Sequence, residues 1–219
     1  MKYLENQSLE NFSNFLRGRD IGGCRLDGRI ETFSCKRAGE DKKLSKVLEA
    51  KFVEDLNVNP PTRTRSTSLG DLSDVSTRRL LIDLISTLNA SFPDYDFSTA
   101  NPEVFIQRDL KSVLHTVNAS LAELTASNPT VLEEMWKLID EVIQLRNSEI
   151  YSYVPDMNED PFSDGTLWSF NYFFFNKDLK RICFFTCLAK SAFNHQSYSD
   201  DEDEDNEDED NNNNNGNDD

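Results

Sequence analysis

The chain has 219 residues, 37% of them apolar, a length that suits one domain able to bury a sizeable core. Its formal charge of −17 is concentrated: residues 200–219 hold 12 of the 40 acidic side chains and no Lys or Arg, which leaves residues 1–199 at −5. That balance disfavours direct nucleic-acid binding, whose affinity comes from Lys and Arg on phosphates, and favours a basic protein surface as partner.

The first residues run straight into polar sequence without the apolar core of a secretory signal. No apolar run is long enough to span a bilayer. Without an export signal, Cys24, Cys35, Cys183 and Cys187 are expected as reduced thiols in a cytosolic or nuclear protein.

In chain order, Leu9, Phe12, Phe15 and Leu16 share one helical face, predicting a helix over 8–17 that stops at the glycines Gly18, Gly22 and Gly23. Residues 27–36 read as a strand on Ile30, Thr32 and Phe33, and 42–53 as a short helix on Leu44, Val47 and Leu48. Residues 57–76 are rich in Pro, Ser, Thr and Arg, and are expected to form a mobile regulatory loop. Asp74 or Ser76 then caps a helix striped by Leu80, Leu81, Leu84, Ile85 and Leu88.

Phe92 to Ser98 ends that helix as an aromatic and acidic loop, and Leu110, Val113, Leu114, Val117, Leu121 and Leu124 mark the next helix. Asn128-Pro129 reads as a cap with proline at the first helical position, opening a helix through Leu132, Met135, Trp136, Ile139, Val142 and Ile143. A short strand over 149–154 then leads into the densest stretch. Residues 156–188 contain seven of the fifteen phenylalanines, in two runs, 167–175 and 181–188, joined at Asn176-Lys177-Asp178. They read as a β-hairpin whose turn uses the tolerance of Asn and Asp for positive φ. Neither run alternates cleanly, so both faces should be covered. The expected architecture is a single α+β domain over 1–190, an α/β-type sandwich with a four-stranded, mostly antiparallel sheet covered by helices. Residues 191–219 are expected as a disordered acidic Asp/Glu/Asn tail.

Catalytic parts are scarce. His115 lies inside an amphipathic helix pattern and His195 beside the tail, and no nucleophile elbow, phosphate-binding glycine loop or C-x-x-C is present. Cys183 and Cys187 stand about 13 Å apart on a strand at a rise of ~3.3 Å per residue, too far to share one metal ion without a bend. No catalytic residue, cofactor or metal is therefore assigned, and an enzyme is not expected. Two features point to regulation and binding. Arg63-Thr64-Arg65-Ser66-Thr67-Ser68 places arginines at −3 of Ser66 and at −3 and −5 of Ser68, a pattern for a basophilic protein kinase. Trp168, at the hairpin mouth beside Asp164, reads either as a core ring, the commoner role at a loop–strand junction, or as an interface anchor.

The boxes Gly28-Arg29-Ile30-Glu31-Thr32-Phe33-Ser34-Cys35-Lys36 and Ala38-Gly39-Glu40-Asp41-Lys42 resemble the N-terminal signature of the Maf-one repressors of RNA polymerase III. Leu88-Asn89-Ala90-Ser91-Phe92-Pro93-Asp94-Tyr95-Asp96-Phe97-Ser98 and Ile150-Tyr151-Ser152-Tyr153-Val154-Pro155-Asp156 are similar to its next two. Asp160-Pro161-Phe162, Leu167-Trp168-Ser169-Phe170-Asn171-Tyr172-Phe173-Phe174 and Leu179-Lys180-Arg181-Ile182 complete the order over about 1–190.

The resemblance implies a negative regulator that binds the polymerase clamp region and winged-helix subunits and hinders recruitment through the initiation factor TFIIIB. It implies control by a nutrient-responsive kinase and a phosphatase, with Ser66 and Ser68 as phosphorylation sites. It also implies shuttling between nucleus and cytoplasm, and the protein is expected as a monomer. Asp94, Asp96, Asp160, Asp164 and Trp168 are the expected partner-binding residues. The rival readings are a small-molecule-binding sensor and an adaptor for another complex.

Overall fold

In the computed structural model, which describes residues 1–36, 40–58, 66–154, 161–162 and 165–192, strand β1 (Lys2–Tyr3) and helix α1 (Gln7–Leu16) come first. Asn6 caps α1, its Oδ1 accepting from the Leu9 amide at 3.1 Å. Strand β2 (Asp20–Ile21), the long strand β3 (Cys24–Ser34) and helix α2 (Glu40–Val58) follow. A hairpin of β4 (Ser66–Thr67) and β5 (Gly70–Asp71) precedes helix α3 (Val75–Ser91). Next come β6 (Phe105–Arg108), α4 (Leu110–Ser120), α5 (Val131–Ile143) and β7 (Glu149–Tyr153). The hairpin strands β8 (Thr166–Asn176) and β9 (Arg181–Ser191) are last.

One sheet carries the order β1-β3-β9-β8-β7-β6, with β2 also on β3, and its pairs are antiparallel. The phenylalanine hairpin is its centre, as expected. Because successive side chains point to opposite faces, the dense aromatic runs supply two cores at once. Phe170, Tyr172, Phe174, Phe185 and Cys187 face a first core against Leu9 and Leu16 of α1, Val117 of α4 and Met135 and Ile139 of α5. Phe173, Phe184 and Ile182 face a second core against Leu81, Leu84, Ile85 and Leu88 of α3 and Leu48 of α2. Phe173 and Phe184 stack across β8 and β9 with centroids 4.6 Å apart. Each such ring contributes about 1.5–3 kcal/mol over an exposed one, so truncating Phe173 to alanine would cost about 3–5 kcal/mol.

Several expectations are corrected. The sheet has seven strands rather than four. The additional ones, β1, β2 and β6, are two to four residues long, too short to show an alternation of their own. The helix expected over 42–53 spans Glu40–Val58. Within the expected loop 57–76, α2 continues to Val58 and residues 66–71 pair as a hairpin, while 59–65 lie outside the described residues. Helix α5 starts at Val131, two residues after Pro129, with Asn128 Oδ1 accepting from the Thr130 amide instead of capping the first turn.

In the β8–β9 turn the positive φ falls on Lys180 (52°), not on Asn176 or Asp178. Asn176 is committed elsewhere: its Nδ2 donates to the Ile143 carbonyl at 2.8 Å and its Oδ1 accepts from the Leu179 amide at 3.0 Å. These bonds tie the turn to the end of α5. Strand β9 runs one residue past the expected boundary at 190, and residues 193–219, the bulk of the acidic tail, lie outside the described residues.

Candidate interaction and regulatory surface

Residues 66–71 of the expected regulatory loop form a built hairpin. Ser66 pairs with Asp71 and Thr67 with Gly70, leaving Ser68 and Leu69 at the tip. Thr67 Oγ1 donates to the Gly70 carbonyl at 2.9 Å and accepts from the Leu69 amide, closing the turn. Leu69 is buried in the second core. Ser68 is exposed, yet its Oγ accepts from the Gln107 backbone amide on β6 at 2.7 Å. Gln107 had no signal in the sequence, since the contact spans 39 residues.

The acidic loop after α3 lies on the second core. Phe92 meets Phe162 edge-on at 5.0 Å and Phe184 at 6.3 Å, and Phe97 meets Tyr153 at 5.9 Å. Asn89 Oδ1 accepts from the Phe97 amide at 2.8 Å and fixes the bend. Over this aromatic floor Asp94, Tyr95 and Asp96 are exposed. Hydrogen bonds from the Ser98 side chain and backbone, with the Lys51 charge, hold the Asp96 carboxyl below the usual carboxylate range.

Arg29, on the opposing strand β3, lies 4.2 Å over the Phe92 ring and 3.8 Å from Glu31. The sequence placed Arg29 in a signature but gave no hint of this contact. Arg78 was missed as well. Buried in α3, it donates from Nε to Glu49 Oε1 at 2.8 Å and from Nη1 to the carbonyls of Leu72 and Ser73 at 2.9 and 2.7 Å. It thereby clamps α2 and the end of the β4–β5 hairpin to α3.

Trp168 faces the other way. It is half-buried against the first core, stacked on Phe170 at 6.0 Å and 12°. A bulge between Thr166 and Trp168 puts Leu167 outward, 59% exposed. The structure therefore separates Asp94 and Asp96 from Trp168 by the thickness of the sheet. Asp160 and Asp164 lie outside the described residues. Phe162 is buried in the second core, 5.8 Å from Tyr153.

Burial pushes the thiols of Cys183 and Cys187 up to about 12, so at neutral pH they are inert core side chains. A cleft of about 580 Å³ lies between α3 and the β8–β9 turn, with Leu69, Leu80, Tyr151 and Phe175 at its floor and Lys177 and Lys180 at its rim. Among the described residues no helix is long and apolar enough to cross a membrane, and no three His, Cys, Asp or Glu side chains gather as metal ligands.

A family model described as Maf1 regulator matches residues 26–186. A Schizosaccharomyces pombe protein named repressor of RNA polymerase III transcription maf1 is 34% identical over 213 residues, covering 92% of this chain and 89% of that one. A Dictyostelium discoideum protein named repressor of RNA polymerase III transcription is 32% identical, covering 85% and 84%. A crystal structure of citrus MAF1 matches with a TM-score of 0.69 at 32% identity, over 84% of this chain and 99% of that one.

Proposed function

The chain belongs to the Maf1 regulator family, and from that membership we propose that it represses transcription by RNA polymerase III. The observation that carries the reading is the match to curated repressors over nearly the whole folded body, strands and aromatic cores included. The body acts by binding rather than by chemistry. It engages the clamp region and winged-helix subunits of the polymerase and blocks recruitment by TFIIIB components.

The exposed Asp94 and Asp96, set on a rigid aromatic floor, supply the acidic contact for a basic polymerase surface. Trp168, with the exposed Leu167, belongs to a second contact on the opposite face, and Asp160 and Asp164 are further acidic residues proposed to bind the partner. Phosphorylation of Ser66 and Ser68 by a basophilic, nutrient-responsive kinase weakens the interaction and shifts the protein to the cytoplasm. A phosphatase restores the nuclear, binding-competent monomer.

Affinity purification from nuclear extract, with and without phosphatase, followed by mass spectrometry tests this. Recovery of polymerase III subunits that rises on dephosphorylation supports binding and switch together. Recovery indifferent to phosphatase keeps the repressor and removes direct control of binding, and no polymerase subunits under either condition sinks the reading.

A further inference from the structure

Among the described residues, the outer edge of the sheet at β6 is met by a side-chain contact from the β4–β5 segment. Val154 donates its amide to the Val104 carbonyl and Gln107 lies opposite Tyr151. In an antiparallel ladder with that phase, the Gln107 N–H points away from β7, toward open space. Ser68 Oγ fills that space at 2.7 Å. On the same turn Leu69 is buried in the second core, so among the described residues a hydrogen bond and an apolar plug hold the hairpin tip. Such edges are a liability when open, and covering them is a common remedy.

We propose that Ser68 is a latch, and that phosphorylation of Ser68 and docking of the β4–β5 hairpin on β6 exclude each other. The inference rests on the phosphorylation reading above. Two features make the states incompatible. A kinase must draw Arg63 through Ser68 into its cleft as an extended segment, with the arginines in acidic subsites. In the docked form Ser66 and Thr67 are paired with Asp71 and Gly70, and Leu69 is buried.

After transfer, the γ-phosphoryl of ATP is bonded to Ser68 Oγ, the bond to ADP is broken and the hydroxyl proton has gone to the kinase's base. The oxygen that accepted from Gln107 at 2.7 Å is then an ester oxygen, a poorer acceptor, and the tetrahedral dianion it carries has to find room between the hairpin tip and β6. Opening of the hairpin thus precedes modification, and modification prevents reclosure. The phosphorylated chain differs at the outer N–H of β6 and at the Leu69 seat beside Leu80, Tyr151 and Phe175.

The test uses the full chain in two arms. In the first, hydrogen exchange of the Gln107 amide is compared between the wild type and Ser68→Ala. A rise of about fivefold or more is expected, the population change for loss of one net hydrogen bond, and unchanged exchange overturns the latch. In the second, a basophilic kinase with ATP acts on the wild type and on Gln107→Pro. Proline deletes the outward donor, leaves the recognition segment 63–68 intact and is tolerated at an edge position whose N–H faces out. Ser68 phosphorylation about fivefold faster in Gln107→Pro is expected, and equal rates overturn the exclusion. If Ser68 is modified in neither chain, the phosphorylation reading fails and the exclusion with it, while the exchange arm still decides the contact.

Discussion

Gly28 opens the first signature box, and its place in the structure gives a prediction of definite sign. It sits buried in β3 where α1 crosses the strand. An added Cβ would lie 2.9 Å from Leu16 Cδ1 and 3.1 Å from both Leu16 Cβ and Cys187 Sγ. Favourable carbon contacts lie at about 3.5–4.0 Å. Leu16 and Cys187 are fully buried, so neither can swing into solvent. The Leu16 Cδ1 can change rotamer, but its Cβ moves only with the helix. Gly28→Ala should therefore cost about 2 kcal/mol, the middle of the overpacking range.

For a chain of this length that lowers Tm by about 4–8 °C. Had the glycine been kept merely by chance, alanine would stabilise the strand by about 0.4–1 kcal/mol through the unfolded state. The assay is thermal and urea unfolding of both chains. A double-mutant cycle with Leu16→Ala sharpens it. Leu16→Ala alone leaves a cavity costing about 2–5 kcal/mol, and the Gly28→Ala methyl should fill part of it, making the double loss smaller than the sum. A raised Tm for Gly28→Ala, or strict additivity with Leu16→Ala, would refute the close-approach reasoning.

Arg78→Met should cost about 2 kcal/mol in urea unfolding, because the Leu72 and Ser73 carbonyls lose their donor while half-exposed Glu49 is partly rescued by water. Native protein should be alkylated only at the half-buried Cys24 and Cys35, with Cys183 and Cys187 reacting after unfolding; four fast thiols would contradict their burial. Because burial raises those two thiols from 9 to about 12, their contribution to stability is complete below pH 9 and is lost as pH rises from 9 towards 12. Urea midpoints of wild type and a Cys183→Ala/Cys187→Ala chain should therefore fall differently over that window, the wild type more steeply. Trp168→Ala should lower stability by about 1–2 kcal/mol, less than Phe173→Ala, since the ring is only half-buried on Phe170; a loss equal to that of Phe173→Ala would place it fully in the core.

The centre of the fold was readable because its signal is local. A run such as Tyr172-Phe173-Phe174-Phe175 opposite Ile182-Cys183-Phe184-Phe185 admits few arrangements other than a doubly covered hairpin. The leucine stripe of α3 was legible for the same reason. The edges were not: β6 is a strand because β7 lies beside it, Tyr153 opposite Phe105 and the Val154 amide on the Val104 carbonyl, not because Phe105-Ile106-Gln107-Arg108 declares it. The site was legible in its members but not in its geometry. Trp168 and Asp94 both belong to signatures, yet strand parity and the bulge at Leu167 decide that they occupy opposite faces. Ser68 was found from its arginines, whereas its partner Gln107 depends on a tertiary contact that no local pattern encodes.

The most direct measurement is transcription of a tRNA gene reconstituted with purified initiation factors and RNA polymerase III, adding the unphosphorylated chain either before the polymerase or after it has bound the promoter. Repression is predicted to be strong when the chain is added first and weak when it is added last, because the proposed action is to hinder recruitment. Transcript yield unchanged in both orders would contradict the assignment of this chain as a polymerase III repressor.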